Sequence, residues 1–322
     1  MKRNAFSTCL AIAFLFVTVP GLSGQPGESS LNAGPSSATP AAKEQASSLA
    51  ALRASAEAGD PLAQNRLGYA YTVGDSVDQN YAEAAKWFTR SASQGFASAK
   101  CNLGALYEKG WGVQKNEAAA MKLFREAADA GDAVGQRTLA LMYHTGNGVA
   151  RDDREAAKWY RLAAEQGDTV AENNLGSLYF NGAGLRQDFV EALNWYRKAA
   201  EKGFAEAENN IGAIYEHGSG ELVDYHLAVT WYRAAAEHGS SRGQLNLAKM
   251  YYLGRGAPLD YVSAYMWFTR AAAGGDPVAR QGLKQVWSLM TPGQKHLAEA
   301  RLSDDQEASV VSVQALSRPD IR

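Results

Sequence analysis

Residues 168–203 read DTVAENNLGSLYFNGAGLRQDFVEALNWYRKAAEKG, and this stretch decides the fold because its pattern recurs along the chain. Its first half carries apolar residues at Ala171, Leu175, Leu178 and Tyr179. These positions fall on one face of a helix, so the pattern predicts an amphipathic helix here, called helix A.

The second half of the same stretch predicts another helix. The glycine-rich segment 182–184 breaks the first pattern, and an apolar face then runs through Ala192, Trp195, Tyr196 and Ala199. This second helix, called helix B, is expected from about Phe189 to Glu201. It is expected to end before a glycine at 203, where left-handed backbone is usually needed.

The stretch is one of six units of 36 residues that fill 60–275 without insertion or deletion. Four rows of residues stay in phase, and the tyrosine row is Tyr71, Tyr107, Tyr143, Tyr179, Tyr215 and Tyr251. A helix pair of this size cannot bury its apolar face alone, so neighbouring pairs must stack. The sequence therefore predicts an all-α fold, a solenoid of six helix-turn-helix repeats with helical caps.

The flanking segments have distinct expected roles. Residues 47–59 match the second half of a unit and are predicted to form an N-terminal capping helix, and residues 276–302 are predicted to form C-terminal capping helices. Residues 25–46 are rich in Pro, Gly, Ser and Ala, which is typical of a flexible linker. Residues 303–322 are interpreted as a loose tail.

Residues 1–24 have the pattern of a secretory signal peptide. Lys2 and Arg3 precede an apolar run from Cys9 to Val19, and small residues follow. The run is too short to span a bilayer, which needs about 20 apolar residues. We therefore expect an exported protein, periplasmic or secreted, with no integral membrane segment after cleavage and with Cys101 as its one thiol.

Composition excludes several classes of function. Thirty-two Lys and Arg balance 34 Asp and Glu, so the chain has no basic field that would hold nucleic acid. Two cysteines exclude a disulfide scaffold and a four-cysteine zinc site. The five histidines show no metal-ligand spacing, so we expect no metal, no cofactor and no catalytic residues.

The row pattern resembles the Sel1-like repeat family, which is related to tetratricopeptide repeats. Residues 47–302 carry the resemblance, and the motif of the fourth unit is Leu175, Gly176, Tyr179, Gly182, Gly184, Asp188, Ala192, Trp195, Tyr196, Ala199, Ala200 and Gly203. The resemblance implies a right-handed α-solenoid that binds another protein or an extended peptide. Departures are local, such as Ala140 for the helix glycine and Ser76 for a loop glycine.

In tetratricopeptide-like stacks the first helix of each unit lines the concave surface. If the Leu and Tyr rows are buried, the exposed face of helix A carries the positions two before Leu, two after it and one after Tyr. This reasoning gives a partner-binding groove that includes Asn65, Tyr69, Arg137, Leu141, His144, Asn173, Phe180, Asn209, Glu216, Lys249 and Tyr252. These positions vary between units, as a surface fitted to one partner would, and as unselected solvent-facing positions also would.

Two further features each allow two interpretations. The row Asn102, Asn174, Asn210 and Asn246 either clamps a peptide backbone or satisfies the backbone of the neighbouring repeat. Trp111 occupies a loop position that no core row requires, so it is either an exposed interface anchor or a ring folded over the adjacent loop.

Three functional hypotheses follow. The first is an exported scaffold or adaptor, without catalytic activity, that regulates or assembles an envelope complex through its groove. The second is a secreted host-interaction or exopolysaccharide-assembly factor. The third is a β-lactam hydrolase like certain cysteine-rich members of the family, against which stand the lone Cys101 and the absence of any S-x-x-K sequence.

Overall fold

The computed structural model describes residues 40–303, and this part of the chain contains fifteen helices and no strand. The helices are α1 (Pro40–Glu57), α2 (Pro61–Val73), α3 (Tyr81–Ser93), α4 (Ala97–Lys109), α5 (Glu117–Asp129), α6 (Ala133–Thr145), α7 (Asp153–Glu165), α8 (Thr169–Asn181), α9 (Phe189–Ala200), α10 (Ala205–His217), α11 (Tyr225–Glu237), α12 (Ser241–Leu253), α13 (Tyr261–Ala273), α14 (Pro277–Leu289) and α15 (292–303). The predicted all-α repeat fold is confirmed. The predicted signal peptide and residues 304–322 lie outside the described residues.

The chain forms two compact units that divide between Ala171 and Glu172, within helix α8. In the first unit α2, α4 and α6 are helices A, and α3, α5 and α7 are their helices B. In the second unit α10 and α12 are helices A, and α9, α11 and α13 are helices B. The predicted linker extended to residue 46, but α1 begins at Pro40, so the last part of that segment is helical and the boundary was wrong.

Each helix B begins at an Asp or Asn that caps its first turn. Asp188 has an extended backbone, and its carboxylate accepts hydrogen bonds at 3.0 Å from the backbone N–H groups of Val190 and Glu191. These donors have no partner within the helix, so the cap stabilises the helix start by about 1 kcal/mol. The six capping residues recur at the 36-residue spacing as Asn80, Asn116, Asp152, Asp188, Asp224 and Asp260.

Glycines within helix A allow an aromatic ring of helix B to approach closely. A Cβ atom on Gly176 would lie 2.9 Å from Cδ1 of Tyr196, and one on Gly212 would lie 2.6 Å from Cδ1 of Tyr232. Contacts this short do not occur between real side chains, so a larger residue at either of these two positions would force the ring or the helix to shift.

Left-handed backbone also ends the helices as expected. Gly203, which follows helix α9, has a φ of +75°. Ser76 takes the place of a loop glycine and adopts a φ of +59°, with its hydroxyl donating to Oδ1 of Asp75 at 3.1 Å. A side chain is strained in this region, so Ser76 has less freedom than the glycines at the same place in later repeats.

Each unit has its own apolar core of alternating large and small residues. The largest buried side chains of the first unit are Leu67, Phe88, Leu106, Phe124, Leu139 and Tyr160. Those of the second unit are Leu175, Ile211, Ile214, Tyr232, Leu247 and Met250. Alanines of helix B pack between them, so the backbones of successive helices come close and the remaining polar side chains of helix A lie on or beside the core.

Candidate partner-binding surface

The predicted groove included residues of helix A two positions before the Leu row, and for Asn65 and Asn209 that prediction is wrong. Asn65 and Asn209 are 0 % and 6 % exposed, and Cys101 and Leu245 in the same row are also buried. The physical reason is that this side of helix A faces the helix A of the next repeat rather than solvent. Asn65 and Asn209 therefore do not contribute to a surface.

Pairs of asparagines explain why these polar groups are buried. Asn102 Nδ2 donates to Asn65 Oδ1 at 3.0 Å, and Asn246 Nδ2 donates to Asn209 Oδ1 at 2.9 Å. A third bond of the same kind, at 3.0 Å, joins Asn210 to Asn173. Each bond links helices A of consecutive repeats. Both interpretations of this row named a backbone partner, whereas Asn102, Asn210 and Asn246 donate to a side-chain amide of the preceding repeat.

In the first unit the groove residues Arg137 and His144 are held by carboxylates. Arg137 Nε lies 3.2 Å from Asp168 Oδ2, and His144 Nδ1 lies 2.7 Å from Asp153 Oδ1. Arg151 donates to the other oxygen of Asp153 at 2.7 Å. Partial burial raises the pKa of Asp153, but its contacts with Arg151 and His144 outweigh this and hold the pKa below its ordinary value.

The other predicted groove residues of the first unit, Tyr69 and Leu141, are half-buried on helices α2 and α6. Tyr69 packs against the apolar cluster built around Phe88 and Leu106. The first unit therefore presents a mixed face of Tyr69, Arg137, Leu141 and His144, in which the two basic side chains are fixed by acidic partners.

In the second unit the position one after the Tyr row carries large side chains that contact helix B or, at Tyr252, helix α14. Phe180 packs edge-on against Phe189, with ring centroids 5.3 Å apart, and Tyr252 accepts a hydrogen bond from Gln285 at 2.7 Å. Glu216 accepts from the hydroxyl of Tyr232 at 2.6 Å. Burial raises the pKa of Tyr232, and its bond to Glu216 raises that pKa further. Asn173 and Lys249 are half-buried on the same helices.

Trp111 packs against its own chain. Its ring stacks on Tyr81, the first residue of helix α3, with centroids 5.0 Å apart and an angle of 29° between the planes. The side chain is half-buried. This geometry is that of a ring folded over the preceding repeat, and it leaves only part of the indole accessible to a partner.

Cys101 is buried and chemically quiet. It is 1 % exposed, and its Sγ lies 3.4 Å from Asp132 Oδ1. Burial raises the pKa of the thiol, and the charge of Asp132 raises it further. Because the thiolate is the reactive form, this side chain acts as a small apolar group that fills space in helix α4.

Two kinds of contact escaped the sequence reasoning. Arginines of one helix B bind the tyrosine row of the next repeat, as Arg197 to Tyr215 at 2.9 Å and Arg233 to Tyr251 at 2.8 Å. Buried Glu208 is bound by Nδ1 of His238 at 2.8 Å. The signal for the first was a recurring spacing of 18 residues between Arg and Tyr, which the separate row patterns do not show.

Between residues 40 and 303, no group of three His, Cys, Asp or Glu side chains is arranged to hold a metal ion. No helix in that same part of the chain is long and apolar enough to cross a membrane.

The comparisons with known proteins agree on one family. The Sel1 repeat model matches six times, at residues 61–96, 97–132, 133–168, 169–204, 205–240 and 241–276. No curated protein matches the chain. Sel1 repeats generally mediate protein–protein interaction and the family is typically non-enzymatic.

Two solved structures are similar over most of this chain. The c5321 protein, a protective antigen present in uropathogenic Escherichia coli strains, is 36 % identical with a TM-score of 0.69. That match covers 80 % of this chain but 56 % of c5321, so this chain spans little more than half of that protein. A Sel1 repeat protein from Oxalobacter formigenes is 34 % identical with a TM-score of 0.66, over 72 % of this chain and 92 % of that one. Six matched repeats and these two structures establish that the chain belongs to the Sel1 repeat family.

Proposed function

We propose that this protein is an exported scaffold or adaptor that binds another polypeptide through its helices A and so regulates or assembles an envelope complex. The observation that supports this is the variation of half-exposed side chains on a frame that is otherwise repeated. In the first unit these are Tyr69, Arg137, Leu141 and His144, and in the second they are Phe180, Glu216, Lys249 and Tyr252.

Several of these side chains are held in place before any partner arrives. Arg137, His144 and Tyr252 each have a fixed partner within the chain. Fixing a side chain in advance lowers the entropy lost on binding, which is about 0.5–1.5 kcal/mol for each immobilised side chain. Half-exposed aromatic and polar groups together favour a peptide with apolar and polar residues.

Export is part of the proposal and rests on the sequence alone. Lys2, Arg3 and the apolar run that follows have the order of a secretory signal. No catalytic step is included. The absence of any S-x-x-K sequence and the burial of Cys101 speak against the hydrolase hypothesis.

A second candidate function is contact with a host. It is favoured by the c5321 relative, because a protective antigen is by definition met by the immune system of a host. Under this alternative the same helix A residues bind a partner outside the cell.

The experiment is an affinity capture from envelope extract with residues 25–322 as bait. The test variant carries Leu141→Ala and Phe180→Ala, and the control carries Lys122→Ala and Lys158→Ala, which remove exposed side chains of helices B. A partner held by the wild type and the control but lost by the test variant supports the proposal. A partner that all three retain shows that another face binds, and capture only from host-cell extract supports the second candidate.

A further inference from the structure

The loop between helix A and helix B normally lies against the preceding repeat. A Cβ on Gly112 would lie 2.2 Å from the carbonyl carbon of Tyr81, and one on Gly256 would lie 2.0 Å from the carbonyl oxygen of Tyr225. Both loops thus press onto the first residue of the preceding helix B. The side chain at that first residue is an aromatic ring in each case.

The loop of the third repeat breaks this rule. A Cβ on Gly148 would meet Met142 Cε at 3.3 Å and Met121 Sδ at 3.9 Å, and no atom of Glu117 would lie within 4 Å. Glu117 is the first residue of helix α5 and corresponds to Tyr81 and Tyr225. The third loop therefore stands away from the start of α5.

The sequence explains the difference. In the first repeat Tyr81 lies beneath Trp111, and the two rings stack at 5.0 Å. At the next repeat the corresponding residues are Glu117 and Asn147, so both rings of the pair are replaced by polar side chains. Helix B of the fourth, fifth and sixth repeats again starts with a ring, at Phe189, Tyr225 and Tyr261. Helix B of the third repeat starts with Asp153, which is not a ring either, but there the carboxylate binds His144 and Arg151. In the second repeat Glu117 replaces the ring and the third loop stands away from it, so a space is left.

A cavity of about 360 Å³ occupies this place in the first unit. Its floor is Ala120, Phe124 and Met142, and its rim includes Glu108, Lys109, Lys115 and Glu117. Such a volume lies at the small end of ligand pockets, which are about 300–1,000 Å³. Glu117, Asn147 and Gly148 are exposed, so the cavity opens to solvent.

The charges of the rim are already balanced. Lys115 Nζ lies 2.7 Å from Glu117 Oε1, and Lys109 Nζ lies 3.6 Å from Glu108 Oε1. Because these lysines and glutamates are paired, they leave no unbalanced charge on the rim, and we expect an uncharged ligand. Met142 is half-buried and offers a thioether, which makes favourable contacts with an aromatic ring, and Phe124 lies beneath it as part of the buried core.

We propose that this cavity binds an aromatic side chain, tyrosine or another ring of similar size, from a polypeptide partner. The partner would supply in trans the ring that Tyr81, Phe189, Tyr225 and Tyr261 supply from this chain in other repeats. The inference rests on the proposed function, because it takes the ligand to be part of a polypeptide.

The test uses N-acetyl-L-tyrosinamide as the probe and backbone amide NMR of the whole chain as the readout. We expect saturable shifts of the Ala120 and Gly148 resonances, with a dissociation constant of about 1 mM, as suits a ligand of this size. N-acetyl-L-leucinamide should bind at least about tenfold more weakly, a difference of about 1.4 kcal/mol. Leucinamide binding as tightly as tyrosinamide would contradict an aromatic site.

Two variants on helix α5 separate filling of the cavity from a change elsewhere on the same helix. Glu117→Tyr restores the ring and should weaken probe binding at least about tenfold, whereas Lys122→Gln, at an exposed position outside the cavity, should leave it within about twofold. Should Glu117→Tyr fail to fold, as judged by circular dichroism, Asn147→Trp restores the upper ring and is expected to weaken the probe in the same way. Unchanged binding to a folded ring-restored variant, or no saturable shift in the wild type, would overturn the inference.

The result is separable from that of the capture experiment. Probe binding without any captured polypeptide would support the cavity and count against the scaffold function. A captured partner that binds the Glu117→Tyr variant as well as the wild type would support the scaffold function and overturn the cavity as its contact.

Discussion

The side-chain amide of Asn246 donates to Oδ1 of Asn209 at 2.9 Å, across two helices A whose residues are 37 positions apart. Asn209 is almost fully buried, so this bond satisfies an amide oxygen that water reaches poorly. Burying an amide without a hydrogen-bond partner costs free energy. The bond between Asn246 and Asn209 therefore favours the one position of the two helices A in which both side chains meet.

Replacing Asn246 with Ala should destabilise the protein by about 1–3 kcal/mol, because the oxygen of Asn209 loses its donor. Urea denaturation of the protein, followed by its helical circular dichroism signal, measures the change in the free energy of unfolding. The matched control is Asn181→Ala, whose amide is exposed and donates to Ser177. The double variant Asn209→Leu with Asn246→Leu should recover part of the lost stability. Leu245 lies in the same row as Asn209, so this row already accepts a leucine in another repeat. A single variant as stable as the control would contradict the role of the pair.

Gly176→Val should cost about 1–3 kcal/mol or more through overpacking. Its Cβ would lie 2.9 Å from both Cδ1 and Cε1 of Tyr196, and that ring is buried and has little room to move. Thermal unfolding monitors the effect. Gly293→Val is the control, because a Cβ there meets nothing within 4 Å. Equal midpoints for the two variants would mean that helix contact at residue 176 is looser than described.

Asp153→Asn should make stability less dependent on pH in the acid range. Folding lowers the pKa of Asp153 from the ordinary aspartate value of 3.8. The carboxylate therefore stabilises the fold above the unfolded pKa, and this stability is lost as the pH falls through the folded pKa. We therefore expect the wild type to be the more stable at about pH 7 and the gap to close below about pH 3. Urea titrations at several pH values measure the gap. A gap of constant size would show that hydrogen bonding alone, without charge, accounts for it.

Cys101 should resist thiol reagents in the native protein. It is buried, so a reagent cannot reach the sulfur, and the pKa of its thiol is raised, so little of the reactive thiolate is present. A chromogenic disulfide reagent added to residues 25–322 should react on the time scale of unfolding in buffer, and at once in denaturant. Fast labelling under native conditions would show that helix α4 opens locally far more often than its burial suggests.

The repeat and its core rows were predictable because they rest on spacing, which the sequence states directly. Tyr196 and Gly176 could be matched from their positions alone, and the structure brings them together. The exposed face was harder to predict. Asn65 is predicted to lie on the surface if only one face of each helix A is buried. In the structure the helix A of the next repeat buries a second face, which includes Asn65.

Pairs between repeats were missed for a related reason. The bond from Arg233 to Tyr251 joins two rows, and each row had been considered separately. The cavity beside Glu117 depends on the distance between the Gly148 loop and the start of helix α5. That distance cannot be read from the residue types in the repeat pattern. The loss of a ring at residue 117 was a weak signal, because Asp153 of the next repeat is not a ring either.

The paired asparagines also have a consequence for how such a chain changes length. If residues 205–240 were excised, Asn246 would follow the fourth repeat at the spacing that Asn210 has now, and would face Asn173. Asn173 already accepts a bond from an asparagine, so the new junction would be chemically the same as the old one. The seam between these repeats is thus interchangeable, and a gene encoding them can gain or lose a whole unit by recombination without a compensating mutation at the seam.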